Sequence, residues 1–485
     1  MNTDKHLLGT ENVGKLLLRL SLPSVIGMLV MASYNIADSI FIGHGVGSLG
    51  LASVAICFPI QFLGGALAIM AGVGGSSIVS RSLGAGDEDR AQQAFGATVG
   101  FSLSVGVLVS SLSLLFLPSL LRLFGATEAI LPYAEDYLSV ILFGVPFQMF
   151  AMAGNHMARA EGRARIAMTT MLISALLNII LDPLFIFGFG WGIKGAAVAT
   201  VISQLVMFVW IFGYFYSGRS SLRFIRKNLF PKLALIREIA AIGSSEFIRM
   251  AAGSLSMVLI NAALIRWGGD MHVAVYGVIH RGLSFFFMPL MGIAQGFQPI
   301  LGYNYGAGRL ERARSAIRLA MVAATVLSLV GFLTAQVFPA QIFAIFTRDA
   351  KLIAEGTRAM RIITSMFFVI GFQIGGIGPI FGQVGFFYKF AGKAIEDKRP
   401  LERYANESKR LVGVLETRLA DRQWIMGDEY TIADIATLGW VDNLINFYEA
   451  RELVGFDDFA NVAAWLERGL ARPAVQRGLE IPSRE

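Results

Sequence analysis

The chain has 485 residues, of which 55% are hydrophobic and only 15% charged, with a mean hydropathy of +0.61. A soluble domain carries about a quarter charged residues, so an entirely soluble protein does not fit. The net charge of +7 is unevenly placed: 386–485 hold 14 Lys+Arg against 17 Asp+Glu, while the preceding residues hold 27 against 17. That basic surplus sits in short loops between apolar runs, where the positive-inside rule expects it, and so gives no support to nucleic-acid binding. The single cysteine, Cys57, leaves no intramolecular disulfide and no CxxC metal or redox site.

The amino terminus lacks a short apolar core followed by a small-residue cleavage site, which predicts that the first span is an uncleaved anchor. Apolar stretches follow near 16–42, 52–79, 94–118, 132–157, 166–189, 193–216, 236–265, 273–300, 314–340 and 360–381. Each reaches the roughly twenty residues that a helix needs to cross a hydrocarbon core. The runs are continuously apolar instead of alternating, which favours helices over a membrane barrel. Arg81 and Arg90, then Arg159, Arg163 and Arg165, then Arg219 through Arg237, then Arg309 through Arg318, all follow even-numbered spans. Those loops are expected to be cytoplasmic and, with ten spans, so are both termini.

An internal repeat is legible at an offset of 222 residues. Ser80-Arg-Ser-Leu-Gly84-Ala-Gly86 and its continuation to Phe95 resemble Gly302-Tyr-Asn-Tyr-Gly306-Ala-Gly308 and its continuation to Ile317. Phe124–Thr127 and Phe346–Asp349 fall at the same offset. Duplicated halves are a transporter device, because a substrate cavity can form between two bundles that rock about it. The second copy is short, with about four spans against six.

A carboxylate near mid-membrane costs about 3 kcal/mol or more, so each one asks for a partner or a function. Asp38 lies toward the outer end of span one. Asp182 lies in span five, four residues after Asn178 and directly before Pro183. That spacing puts Asn178 and Asp182 on one helix face, while the proline disturbs the hydrogen-bond ladder beside them. Together they offer oxygens to a proton or a sodium ion. The alternative is that both acids are interfacial residues in contact with water. Glu246 and Arg249, three residues apart in span seven, fit a structural ion pair or a second coupling site.

At this point the residues resemble a known family. The segment Tyr34–Gly43, the Leu-Gly-Ala-Gly loop and its repeat, Gly154–Gly162, Leu177–Pro183 and Gly192–Thr200 together resemble the multidrug and toxic compound extrusion (MATE) transporters over about residues 12–375. The resemblance implies a twelve-span antiporter that exports cationic amphiphilic small molecules in exchange for protons or sodium, with no other cofactor. By position it implies that Asp38, Asn178, Asp182 and Thr200 form the cation site and that Tyr137 and Asn155 lie near it. Pro23 matches the proline about which the first helix is thought to bend. Glu246 matches a seventh-span carboxylate that works, in one subgroup, with one in the tenth span; the tenth stretch here has none. Spans eleven and twelve have no counterpart.

The tail reads differently. An amphipathic helix carrying Tyr404, Leu411, Leu415 and Leu419 leads to Gly427-Asp-Glu-Tyr-Thr-Ile-Ala-Asp434, in which Thr431 and Asp434 form a capping box and Tyr430 and Ile435 a hydrophobic staple. With Trp465–Arg468 and Ala471–Gly478, residues of about 372–485 resemble the all-helical carboxy-terminal domain of bacterial nu-like glutathione transferases. That family activates glutathione mainly in an amino-terminal thioredoxin-like domain, which has no counterpart here, so the resemblance implies no enzyme activity and leaves a dimerisation surface.

The expected fold is all-α: a polytopic membrane bundle followed by a soluble helical domain, fused near residues 371–383. The expected domains are a first lobe at 1–218, a partial second lobe at 219–380 and the tail at 381–485. The expected location is a bacterial-type inner membrane, with the tail cytoplasmic. A glutathione-transferase-related enzyme, an inactive fusion whose tail is an interaction module, and a lipid-carrier flippase are the competing functions.

Overall fold

A computed structural model describes residues 3–229, 233–346, 349–364, 384, 388–389 and 398–479. They fall into two units, Met1–Ala323 and Ala324–Glu485. Among them there is no strand, and Trp424 and Gly427 make one isolated bridge.

The first unit opens with α1 (Thr3–Thr10), α2 (Val13–Gly45), α3 (Ser48–Ala85), α4 (Glu88–Leu115), the short α5 (Leu117–Leu123) and α6 (Leu131–Ala160). It continues with α7 (Ala164–Pro183), a π-helical turn at Leu184–Gly188, α8 (Gly192–Tyr216) and α9 (Leu233–Gly306), and α10 (Leu310–Val337) begins in it. Local chemistry sets the starts: Asn12 accepts from the amides of Gly14 (3.0 Å) and Lys15 (3.3 Å) at the head of α2, and Asp87 accepts from that of Arg90 (2.9 Å) at the head of α4. Eight helices among the described residues are long and apolar enough to span a membrane. Leu18, Leu22, Leu108 and Val209 stand exposed on them, as lipid-facing side chains do. The expected tenth span, 360–381, and the fusion point lie largely outside the described residues.

Spans seven and eight differ from expectation. The stretch 266–272, expected as a loop, is helical, and α9 runs without interruption through both expected spans. No proline occurs between 232 and 288, and Gly268 and Gly269 each cost a helix only about 1 kcal/mol. Yet α9 is not straight. A Cβ on Gly74 would lie 2.0 Å from the Ile239 carbonyl oxygen, and one on Gly302 would lie 2.0 Å from Ser80 Oγ. A straight helix would hold Ile239 and Gly302 about 95 Å apart, whereas Gly74 and Ser80 are about 9 Å apart along α3. The chain therefore turns back between Gly243 and Gly292, giving two arms that both pack on α3.

The repeat is visible as paired contacts. A Cβ on Gly84 would meet the Tyr303 carbonyl at 2.0 Å, and one on Gly306, the counterpart of Gly84, would meet the carbonyl of Arg81, the counterpart of Tyr303, also at 2.0 Å. Ser76 Oγ accepts from Nε2 of its own counterpart, Gln298, at 3.1 Å. The two loop glycines at matching positions, Gly86 (φ +77°) and Gly308 (φ +70°), both take the left-handed conformation that ends the helix. Close backbone approach through small residues is how membrane helices associate without a hydrophobic driving force.

The connection from α8 to α9 is fastened to the first copy. The buried Glu161 carboxylate accepts from the hydroxyls of Tyr214 (3.2 Å), Ser220 (2.7 Å) and Ser221, and from the amides of Ser221 (2.8 Å) and Leu222 (3.2 Å). Gln92 bridges the Ser221 carbonyl (2.8 Å) and the Arg223 amide (2.9 Å). Asn228 and Leu229 lie against Gly96 and Gly100 of α4, where any side chain would collide with them.

In the second unit, α11 (Pro339–Phe346) and α12 (Ala350–Thr364) meet where the Phe343 ring covers Gly356. The tail comprises α13 (Arg399–Leu419), α14 (Ile432–Asp442), a π-turn at Asn443–Phe447, α15 (Ala460–Leu470) and α16 (Pro473–Leu479). Its core gathers Leu411, Leu415, Leu419, Leu444, Phe456 and Trp465. Asp434 is fully buried and accepts from the Thr431 amide (2.9 Å) and hydroxyl (3.1 Å), the Ile425 amide (2.9 Å) and Trp465 Nε1 (2.8 Å). The capping box thus also ties three tail segments together. Ile435 is exposed, and Tyr430 instead packs edge-on against Trp424 and under Arg472.

Candidate cation site

The site forms at the end of the first unit opposite the basic loops, where α2, α7 and α8 converge. Asp182 ends α7, and directly after Pro183 the backbone widens into the π-turn. A proline supplies no amide to the ladder, and π-turns mark places where a helix is opened for function. Asp182 is fully buried and Asn178 nearly so. The Asn178 amide donates to Asp182 Oδ1 (3.2 Å) and to Thr200 Oγ1 (3.4 Å), joining α7 to α8. Asp38 on α2 comes within hydrogen-bonding reach of Asp182.

Asp38 Oδ1, Asn178 Oδ1 and Asp182 Oδ2 are buried oxygens without a hydrogen-bond partner among the described residues. No Lys or Arg among those residues pairs with either acid. Two adjacent carboxylates repel each other strongly in a low dielectric, and a proton or a small hard cation relieves that repulsion. An all-oxygen donor set suits sodium, and among the described residues no group of three or more His, Cys, Asp or Glu could hold another metal.

The other expected residues lie at varying distances from this centre. Tyr137, almost fully buried on α6, stands beside Gln61 and within electrostatic reach of Asp38. Asn155 does not lie near the centre as expected: it is buried with an unpartnered Oδ1 toward the basic-loop end of α6, about 27 Å of helical rise from Tyr137. Pro23 is buried inside α2 against the second arm of α9: Cβ atoms on Gly292 and Gly296 would collide with Val25 and Ser21. Glu246 pairs on its own helix with Arg249, at 2.6 Å, and is half-buried.

Two further side chains stand beside the candidate site. Tyr34 lies one turn before Asp38 and within electrostatic reach of both acids. Gln61 contacts Tyr137 from α3. The i, i+4 spacing of Tyr34 and Asp38 was available in the sequence as a signal; Gln61 had none.

Residues 23–184 and 247–378 match the MatE family model in two blocks that follow the repeat. The chain belongs to the MatE family. It is 28% identical to the multidrug export protein MepA of Staphylococcus haemolyticus over 77% of this chain and 82% of that protein. It is likewise 28% identical to an FAD transporter of Shewanella oneidensis, over 72% of this chain and 78% of that protein. The fold is similar to a crystal structure of MATE in the bent conformation, with a TM-score of 0.72 and 25% identity, covering 98% of this chain and 99% of that one. In this MatE chain residues 380–473 match a second model, the glutathione S-transferase C-terminal domain, so the two matches abut within the expected fusion region.

Proposed function

We propose that this chain is a multi-pass antiporter of the MATE type that exports cationic amphiphilic drugs in exchange for protons or sodium ions. The observation that carries this reading is the buried meeting of Asp38 with Asp182 among oxygens that lack protein donors. Asp38, Asn178, Asp182 and Thr200 take the coupling ion, and Tyr137 shapes its surroundings. Pro23 is the point at which α2 bends, because its missing amide removes one helical hydrogen bond. The name of the Staphylococcus haemolyticus relative supports multidrug export.

The domains are a first lobe at 1–218, a second at 219–380 and a tail at 381–485, in a bacterial inner membrane with basic loops, termini and tail on the cytoplasmic side. The pairing of Glu246 with Arg249 favours a structural role over a second coupling site. The tail does no glutathione chemistry and serves as a dimerisation module; Met426 and Ile435 are apolar side chains that it leaves exposed.

Efflux of a fluorescent lipophilic cation from cells making the full chain tests this reading. Wild type lowers cellular accumulation, and Asp38→Asn slows efflux by about tenfold or more, the scale of a typical coupling free energy. Undiminished efflux by Asp38→Asn, at equal membrane abundance, overturns it.

A further inference from the structure

At the basic-loop end of the first unit, two arginines at matching repeat positions each cross to the opposite copy. Arg90, in the first turn of α4, donates to both carboxylate oxygens of Glu238, at 2.9 and 3.1 Å, near the start of α9. Arg312, its counterpart at the offset of 222, donates to the Glu11 carbonyl at 2.7 Å, just ahead of α2, while Asn304 holds its Nε at 3.2 Å. Arg309 adds a bond to the Gly9 carbonyl (2.6 Å), and the Asn304 amide one to the Leu8 carbonyl (2.9 Å).

The second clasp exploits a helix end. The last carbonyls of α1 have no following turn to bond them and carry the negative end of the helix dipole, so guanidinium groups satisfy both needs. A Cβ on Gly9 would stand 2.6 Å from Arg309 Nη1, so a larger residue there would push that guanidinium aside. Leu8 is buried and reaches the turn at Gly162. At the seam between the copies Ser80 is wholly buried, in the contact with Gly302, two residues before Asn304 of the second clasp.

We propose that these clasps are the gate on the basic-loop side of the transport pathway, with α1 as its bolt. Entry from that side requires Asn304, Arg309 and Arg312 to release the Leu8, Gly9 and Glu11 carbonyls and Arg90 to release Glu238. The Arg90 pair is half-exposed and therefore the weaker member, since solvent screens such pairs. The pathway itself rests on the antiporter reading; the closure does not.

The test uses the full chain in nanodiscs, with Cys57→Ser removing the native thiol and Ser80→Cys as a buried reporter for a water-soluble maleimide. Arg309→Ala combined with Arg312→Ala is expected to raise the labelling rate about fivefold or more, and Arg90→Glu to raise it less, within the usual range of coupling between two states. Adding Glu238→Arg to Arg90→Glu restores the parent rate. Labelling that is indifferent to all of these overturns the gate, and so does a double reversal that labels as fast as Arg90→Glu. Drug efflux is read separately: gated labelling without efflux rejects the antiporter and keeps the closure, whereas efflux with ungated labelling rejects the gate alone.

Discussion

The two ends of the first unit treat the duplication in opposite ways. At the basic-loop end the copies match at the residues of closest approach and at one arginine: Gly84 with Gly306, Gly86 with Gly308, Arg90 with Arg312. At the far end the match stops, because the counterpart of Asp38 is Ile260, a half-exposed aliphatic residue. Duplication has kept the backbone approaches that hold the copies together, while the acid pair belongs to one copy. Close packing tolerates few side chains and so preserves symmetry, whereas a second buried acid pair would add a large desolvation cost.

The strongest challenge to that contrast is Asp182→Asn, expected to slow efflux about tenfold or more, as for Asp38→Asn, with membrane abundance retained. Placing an acid in the second copy, Ile260→Asp in the Asp38→Asn chain, is expected to leave efflux at the low level; recovery would show that the copies are interchangeable. At the symmetric end, Gly84→Leu and Gly306→Leu should each lower stability by about 3 kcal/mol or more through overpacking, seen as similar falls in melting temperature in detergent. Unequal falls would break the pairing.

The tail is expected to respond separately. Asp434→Ala should cost it about 2–3 kcal/mol, from loss of the cap and of the Trp465 partner, read by tryptophan fluorescence on denaturation, without changing efflux. The smallest effect concerns Glu407, whose carboxyl the neighbouring Arg410 guanidinium holds below the usual carboxylate range. The depressed value makes this contribution fully present above about pH 4.5, the ordinary carboxylate value, and lost as pH falls through the lowered one. On an exposed helix it amounts to about 0.3 kcal/mol, and Glu407→Gln should flatten the acid limb by that amount.

Much of this was legible where chemistry acts over one or two helical turns. The spacing of Asn178 and Asp182, the proline after them and the capping box at Thr431 are local patterns, and each has a local structural counterpart. The 222-residue offset was legible because glycines in tight loops leave a trace in composition. The helical backbone through 266–272 was not: polar residues and paired glycines suggest a loop, but no proline stops the helix. Gln61 was silent because a neutral amide in an apolar run has no periodic mark. Glu161 read as part of a family motif, since its donors at 214–222 lie more than fifty residues downstream.

The anchoring of the connection at Glu161 and Gln92 has a mechanical consequence. The connection runs fastened to the first copy as far as Leu229, and α9 begins at Leu233. Three intervening residues give a leash of about 14 Å at full stretch. The head of the second copy's first helix therefore stays tethered to α4 throughout any cycle, and the copies can part at this end only by swinging about that tether, with the α1 side travelling furthest.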